Sequence, residues 1–252
     1  TAYMTQGWSW EGGPRGPEHA EAVIAACAAR TPRALSDLRV LIRAETHLAD
    51  QGARLATQVA AGRVGYVLFA DGLEEATRLM RSDPVSFEEL AGSLDTTPAD
   101  LGARIAAARA QARAVPRHLC DLAEAFDVAG LVYGSHADPD AETREFHAMI
   151  GARLAMAPTT RKVAAAAHAM MSPVLLRAGD LGRPMGQALL AEGLCDALVS
   201  EGDARGLARV VWDLAQSGRI SLPRAWALIS QRPAEILRLP DRGRLHPGLR
   251  AD

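Results

Sequence analysis

The stretch RLAMAPTTRKVAAAAHAMMSPVLL, residues 153–176, holds a strand, a helix and a second strand in succession. Arg153–Met156 is a short apolar run. An alanine-rich helical pattern follows from Val163, and Ser172-Pro173 interrupts it. Pro173–Leu176 is apolar again. Short runs that are continuously apolar, rather than alternating, fit parallel strands buried on both faces. Runs of the same kind stand at Ala2–Thr5, Leu38–Ile42, Val64–Phe69, Val128–Tyr133 and Ala197–Ser200, each followed by a helical pattern. In the second half they recur every two dozen residues or so, the period of compact βα units. The expected fold is therefore α/β, a TIM-like (β/α) barrel with about seven parallel strands. It is an incomplete set, because a closed barrel of this kind has eight.

The helices between the strands carry start signals. Asp138-Pro139 and Thr97-Pro98 each offer a cap followed by proline in the first turn. Ser86-Phe87-Glu88-Glu89 reads as a capping box, and Ser221 precedes the apolar-periodic Leu222, Ala225, Trp226 and Ile229. Residues 71–127 read as a mostly helical insertion in a single barrel domain spanning 1–252. Its helix near Pro98–Val115 carries a stripe of Leu101, Ile105 and Ala108. That helix is either a surface helix on the barrel wall or a lid or dimer contact. An open barrel exposes two parallel edges, so a covering helix, a rearranged strand or a partner subunit in a homo-oligomer is expected to repair them.

Composition excludes several classes of function. Hydrophobic residues make up 48% and charged residues 23%, which excludes a disordered chain. The net charge of −2 and the 4% aromatic content give no basis for nucleic-acid binding, so a small-molecule substrate is the expected partner. No apolar run approaches the roughly 18 residues that span a bilayer. Cys27, Cys120 and Cys195 are scattered and odd in number, which predicts free thiols in a reducing, cytoplasmic setting. Lys162 is the only lysine among 28 basic residues. Lysine-based chemistry, including a carbamylated metal bridge, is thereby nearly removed.

The C-terminal stretch is the most specific. Ser221-Leu222-Pro223-Arg224-Ala225 opens a helix. Arg232-Pro233-Ala234-Glu235 follows, then Asp241-Arg242-Gly243-Arg244-Leu245-His246-Pro247-Gly248-Leu249-Arg250-Ala251-Asp252. This series resembles the closing signature of the amidohydrolase superfamily. Gln6-Gly7-Trp8-Ser9-Trp10-Glu11-Gly12-Gly13, Arg43-Ala44-Glu45-Thr46-His47, Gly134-Ser135-His136-Ala137-Asp138, Ala157-Pro158-Thr159-Thr160 and Leu198-Val199-Ser200-Glu201 narrow it. They resemble the phosphonate-metabolism group, the α-D-ribose 1-methylphosphonate 5-triphosphate diphosphatase-like enzymes. Against that pattern the chain runs from the second barrel strand to the end of the barrel. The first strand and the small β-domain are the expected missing parts.

The resemblance implies a divalent metal, zinc or manganese, if the site is functional, and none if it is degenerate. It implies Glu45 and His136 as metal ligands, Glu201 as the catalytic base, and Arg177, Arg183 and His47 as substrate contacts. Simpler roles stand beside these. Glu45 could pair with Arg43 or another cation, because a buried carboxylate is costly alone. His136 could be a hydrogen-bonded histidine at a strand end, and Asp138 reads best as a helix cap. The segment Arg177–Met185 is either a backbone-amide phosphate cradle or a plain loop. Two departures weigh against the full chemistry. Gly72 stands where the group has a histidine, and Glu201 stands where it has an aspartate.

Three functions follow as expectations. The chain is a metal-dependent hydrolase of phosphonate or phosphorylated-sugar metabolism, or a catalytically degenerate relative with a binding or structural role, or part of a longer product that supplies the remaining ligands.

Overall fold

The computed structural model describes residues 1–200, 202 and 204–250. The chain divides into two compact units, Thr1–Tyr133 and Gly134–Asp252. The described residues form seven strands, and the pairings within each unit are parallel, as the continuous apolar runs require. No helix among them is long and apolar enough to cross a membrane, and all three cysteines are free thiols.

In the first unit β1 (Ala2–Trp8), β2 (Leu38–Glu45) and β3 (Tyr66–Ala70) lie side by side. Helices α1 (Pro17–Arg30) and α2 (Gly52–Ala60) form the crossovers. The register sets Trp8 beside Ala44 and Ala44 beside Phe69. Alternation then fixes the faces. The Ala44–Phe69 row meets the helices, and Phe69 stacks with Phe126 at 6.0 Å between ring centroids. Glu45, beside Ala70, lies on the opposite face. Both β1 and β2 run three residues past their apolar runs, which brings Glu45 into the strand.

Four helices follow β3: α3 (Leu73–Ser82), α4 (Pro84–Ser93), α5 (Pro98–Ala110) and α6 (Val115–Val128). The Thr97 hydroxyl accepts from Asp100 N at 3.1 Å, so α5 starts where its signal says. Helix α4 starts earlier than expected. Asp83 is its cap and accepts from Ser86 N, so Ser86 is the third helical residue. Leu101, Ile105 and Ala108 of α5 are buried as a stripe. The other side of α5 reaches the loop after β1, where an Arg104 Nη1–H donates to the Glu11 carbonyl. Gly13 faces the same insertion. It has φ 55°, and a β-carbon there would lie 2.6 Å from the Leu94 carbonyl oxygen.

Next comes β4 (Val132–His136), four residues later than the run at Val128 suggested. Val128 ends α6 with 85% of its surface exposed, and Gly130 at φ 65° turns the chain. The second unit continues with α7 (Ala141–Met149), β5 (Leu154–Met156), α8 (Arg161–Ala169), β6 (Val174–Arg177) and α9 (Pro184–Ala191). It ends with β7 (Ala197–Val199), α10 (Ala204–Gln216), α11 (Leu222–Ala227) and α12 (Gln231–Ile236). Its core joins Ala155, Val174, Leu176 and Leu198 from the strands to Leu189, Val211, Leu214 and Ala225 from the helices. Leu198 N donates to Leu228 O at 2.9 Å, so the end of α11 takes up a backbone group of β7.

Asp138 is not a helix cap. Asp140 caps α7 through Thr143 N at 2.8 Å. Asp138 is buried instead. It accepts from Ser135 Oγ at 2.6 Å and lies 3.0 Å from His147 Nδ1 and 3.4 Å from Arg144 Nη1. Arg144 is fully buried and also donates to Ser135 Oγ, Leu154 O and Ala152 O. A buried guanidinium is tolerated only with such pairing.

Candidate functional site

The C-terminal ends of the parallel strands are where this architecture carries its chemistry. In the first unit three strand ends converge on Glu45. Its Oε2 accepts from the Trp10 indole Nε1 at 3.2 Å and from Gly72 N at 2.9 Å. Trp10 belongs to the loop after β1, and Gly72 follows β3. Both donors are neutral N–H groups. Burial pushes the Glu45 carboxyl up to about 7, and the charges of Glu11 and Asp71 push the same way. The Gly72 and Trp10 donors oppose the rise without cancelling it.

His47 lies two residues beyond Glu45, past the strand end. Its Nδ1 is 3.1 Å from Thr46 Oγ1 and 3.7 Å from Asp71 Oδ1. Asp71 Oδ1 also accepts from Leu73 N at the start of α3. This arrangement presents a half-buried imidazole just past the end of β2.

A divalent cation needs ionised carboxylates with open lone pairs and several convergent ligands. Here two N–H groups occupy Glu45 Oε2. Gly72 contributes a backbone donor and no side chain. Among the described residues no three His, Cys, Asp or Glu side chains come together to hold a metal ion. Around Glu45 the described residues supply no such cluster for the metal that the motifs imply.

The second unit contains three further expected site residues. His136 is the last residue of β4 and half-buried. The turn after it is fixed from both sides. Ala137 adopts φ 57° and donates its N–H to Met156 O at 2.9 Å, and Thr159 Oγ1 donates to Asp138 O at 2.6 Å. The hydrogen bonds from His147 and Ser135, with the Arg144 charge, outweigh burial and hold the Asp138 carboxyl below its ordinary range.

Arg177 ends β6 and grips both oxygens of Asp180, at 2.9 and 3.0 Å. Asp180 thereby closes the short 3-10 turn Ala178–Gly182 onto the strand end. Gly186 is needed for packing, since a β-carbon there would lie 2.2 Å from Asp180 O. Arg183 is exposed and precedes α9. Glu201, the expected base, lies outside the described residues.

Sequence reading missed Trp10 as the partner of Glu45, and the Ser135–Asp138–Arg144–His147 network. A signal for the network was available. Arg144 and His147 are three apart in α7 and share one helical face.

Comparison with known proteins gives one match. Over 132 residues the chain is 33% identical to the Alpha-D-ribose 1-methylphosphonate 5-triphosphate diphosphatase of Escherichia coli (strain K12). The match covers 48% of this chain and 35% of that protein, so the chain matches about a third of its relative's length. That relative is a member of the amidohydrolase superfamily, the family the motifs resemble. No family model matches the chain, and no solved structure matches it.

Proposed function

We propose that this chain is a catalytically degenerate relative of the amidohydrolases, in which the β2 carboxylate has become a hydrogen-bonded structural group. One observation carries the reading: Gly72 donates its backbone N–H to Glu45 from the position where the resembled group has a histidine. The backbone group binds the carboxylate where a side-chain ligand would have shared a cation with it. Two-metal hydrolysis then has no complete ligand set among the described residues.

Calorimetric titration of the chain with zinc and manganese tests the proposal. The expected result is no heat of binding at micromolar metal. Binding at that concentration, abolished by Glu45→Gln, overturns it.

A second reading is favoured by the similarity to the diphosphatase. It makes the chain a metal-dependent hydrolase acting on a phosphorylated or phosphonate-linked sugar. Glu45 and His136 are then the ligands, Glu201 the base, and Arg177, Arg183 and His47 the substrate contacts. Metal-dependent pyrophosphate release from α-D-ribose 1-methylphosphonate 5-triphosphate, lost in His136→Ala, is the result that selects it.

A further inference from the structure

Helix α12 ends in a Schellman motif. Leu239 N donates to Ala234 O at 2.8 Å, and Arg238 N donates to Glu235 O at 3.2 Å. The motif puts Arg238 at φ 54°, a left-handed position that glycine ordinarily fills. After this turn the chain folds back, and Arg250 N closes onto Asp241 O at 2.7 Å. Between the helix and the returning segment lies a groove of about 600 Å³. Its walls include the apolar Ala234, Leu239, Pro240 and Leu249, and Arg238, Arg244 and His246 also line it.

Among the described residues, guanidinium groups outnumber carboxylates in the lining of the groove. Glu235 is engaged by Arg244 at 2.6 Å and by Arg232 at 3.1 Å, and Arg232 also reaches Asp196 at 3.2 Å. Asp241 is engaged by Arg242. The Arg238 side chain is exposed and makes no hydrogen bond or ion pair among the described residues. Arg238 thus stands at the edge of an apolar groove, in the left-handed position of the helix ending. The volume lies in the range of small-molecule sites, and a planar guanidinium fork matches an oxyanion.

We propose that this groove binds a small amphiphilic oxyanion, a carboxylate or phosphate head on an apolar body. Arg238 and Arg244 take the head, and Ala234, Leu239 and Leu249 take the body. The site is independent of Glu45 and does not depend on how the strand ends work.

Titrations of the chain with phenyl phosphate, benzoate and inorganic phosphate, followed by calorimetry and by the His246 NMR signals, test the proposal. The expected result is binding of phenyl phosphate or benzoate roughly tenfold or more tighter than inorganic phosphate, with His246 signals shifting. The two organic probes decide which head is preferred. Arg238→Gly suits the left-handed turn and so keeps the fold, with a melting temperature at or above that of the parent. It is expected to weaken binding roughly tenfold, as is Arg244→Ala. Arg224→Ala, on α11, leaves binding unchanged. Three results each overturn the proposal: no binding of either organic probe at millimolar concentration, equal binding of inorganic phosphate, or undiminished binding by a folded Arg238→Gly chain.

Discussion

The indole N–H of Trp10 donates to the Glu45 carboxylate across 35 residues of sequence, at 3.2 Å. With Gly72 N on the same oxygen, the loops after β1 and β3 both close onto the end of β2. The hydrogen bonds are those of a held carboxyl group, and the surrounding charges of Glu11 and Asp71 favour its proton.

Stability is expected to fall with rising pH because of Glu45. Its carboxyl is raised from an ordinary 4.5 to about 7 in the folded chain. The folded state therefore binds more protons than the unfolded state between these values. The stabilisation is fully present below 4.5 and is lost as the pH rises through about 7. A shift of this size corresponds to about 3 kcal/mol. Glu45→Gln mimics the protonated carboxyl and retains an acceptor for Trp10 and Gly72. Urea melts at pH 5 and pH 8 should find the variant close to the parent at the lower pH and more stable at the higher. An unchanged pH dependence in the variant rules out Glu45 as the source.

The buried cluster at the β4 end gives a sharper stability test. Arg144→Met leaves Asp138 buried without its guanidinium and should cost about 3–5 kcal/mol. Asp138→Leu alone should cost a similar amount by stranding Arg144. The double substitution should recover much of the loss, because two apolar side chains need no pairing. A denaturation cycle over the four proteins measures the coupling, and additive losses would contradict it.

The strand pattern was legible because its signal is local: apolar runs and their spacing depend on neighbouring residues. All seven strands lie on or beside their runs. Boundaries moved where a longer-range contact decided them. Glu45 joins β2 because Ala70 pairs with it, and Val128 joins α6 because Gly130 supplies the turn. The Asp138 misreading has the same origin. Asp138-Pro139 and Asp140 both offer caps, and only the inward-facing Arg144 and His147 draw Asp138 away from the helix. Glu45 itself was singled out by the resemblance of Arg43-Ala44-Glu45-Thr46-His47 to the phosphonate-metabolism group. Trp10 was not, because nothing in a tryptophan after a strand says which carboxylate its N–H will meet.

Glycine substitutions within β4 and just after β3 should separate. A β-carbon at Gly134 would lie 2.3 Å from both the Leu154 carbonyl oxygen and its β-carbon, so Gly134→Ala must push β4 and β5 apart. The expected cost is about 3 kcal/mol or more. A β-carbon at Gly72 would lie 3.4 Å from Glu45 Oε1, with the N–H to Glu45 retained. Gly72→Ala should therefore cost less than about 1 kcal/mol. Comparable midpoints for the two variants in a chemical melt would refute the distinction.

Helix α5, which packs against α3 and α4, should matter to Glu45. Arg104 donates to the Glu11 carbonyl, one residue beyond Trp10. Gly13 meets the Leu94 carbonyl in the same neighbourhood. The insertion thus holds the loop that holds Trp10, and Trp10 holds Glu45. Arg104→Ala removes a hydrogen bond from a charged donor, an interaction worth about 1.5–3 kcal/mol. The loop should open more often as a result. Hydrogen exchange at the Trp10 indole N–H, followed by NMR, should then speed up, while exchange in β6 and β7 stays as in the parent. The Glu45 titration should also move further upward, because loss of the Trp10 donor removes support for the charged form. A helix serving only as outer wall predicts no change at either group. Unchanged indole exchange in a folded Arg104→Ala chain would assign α5 that passive role.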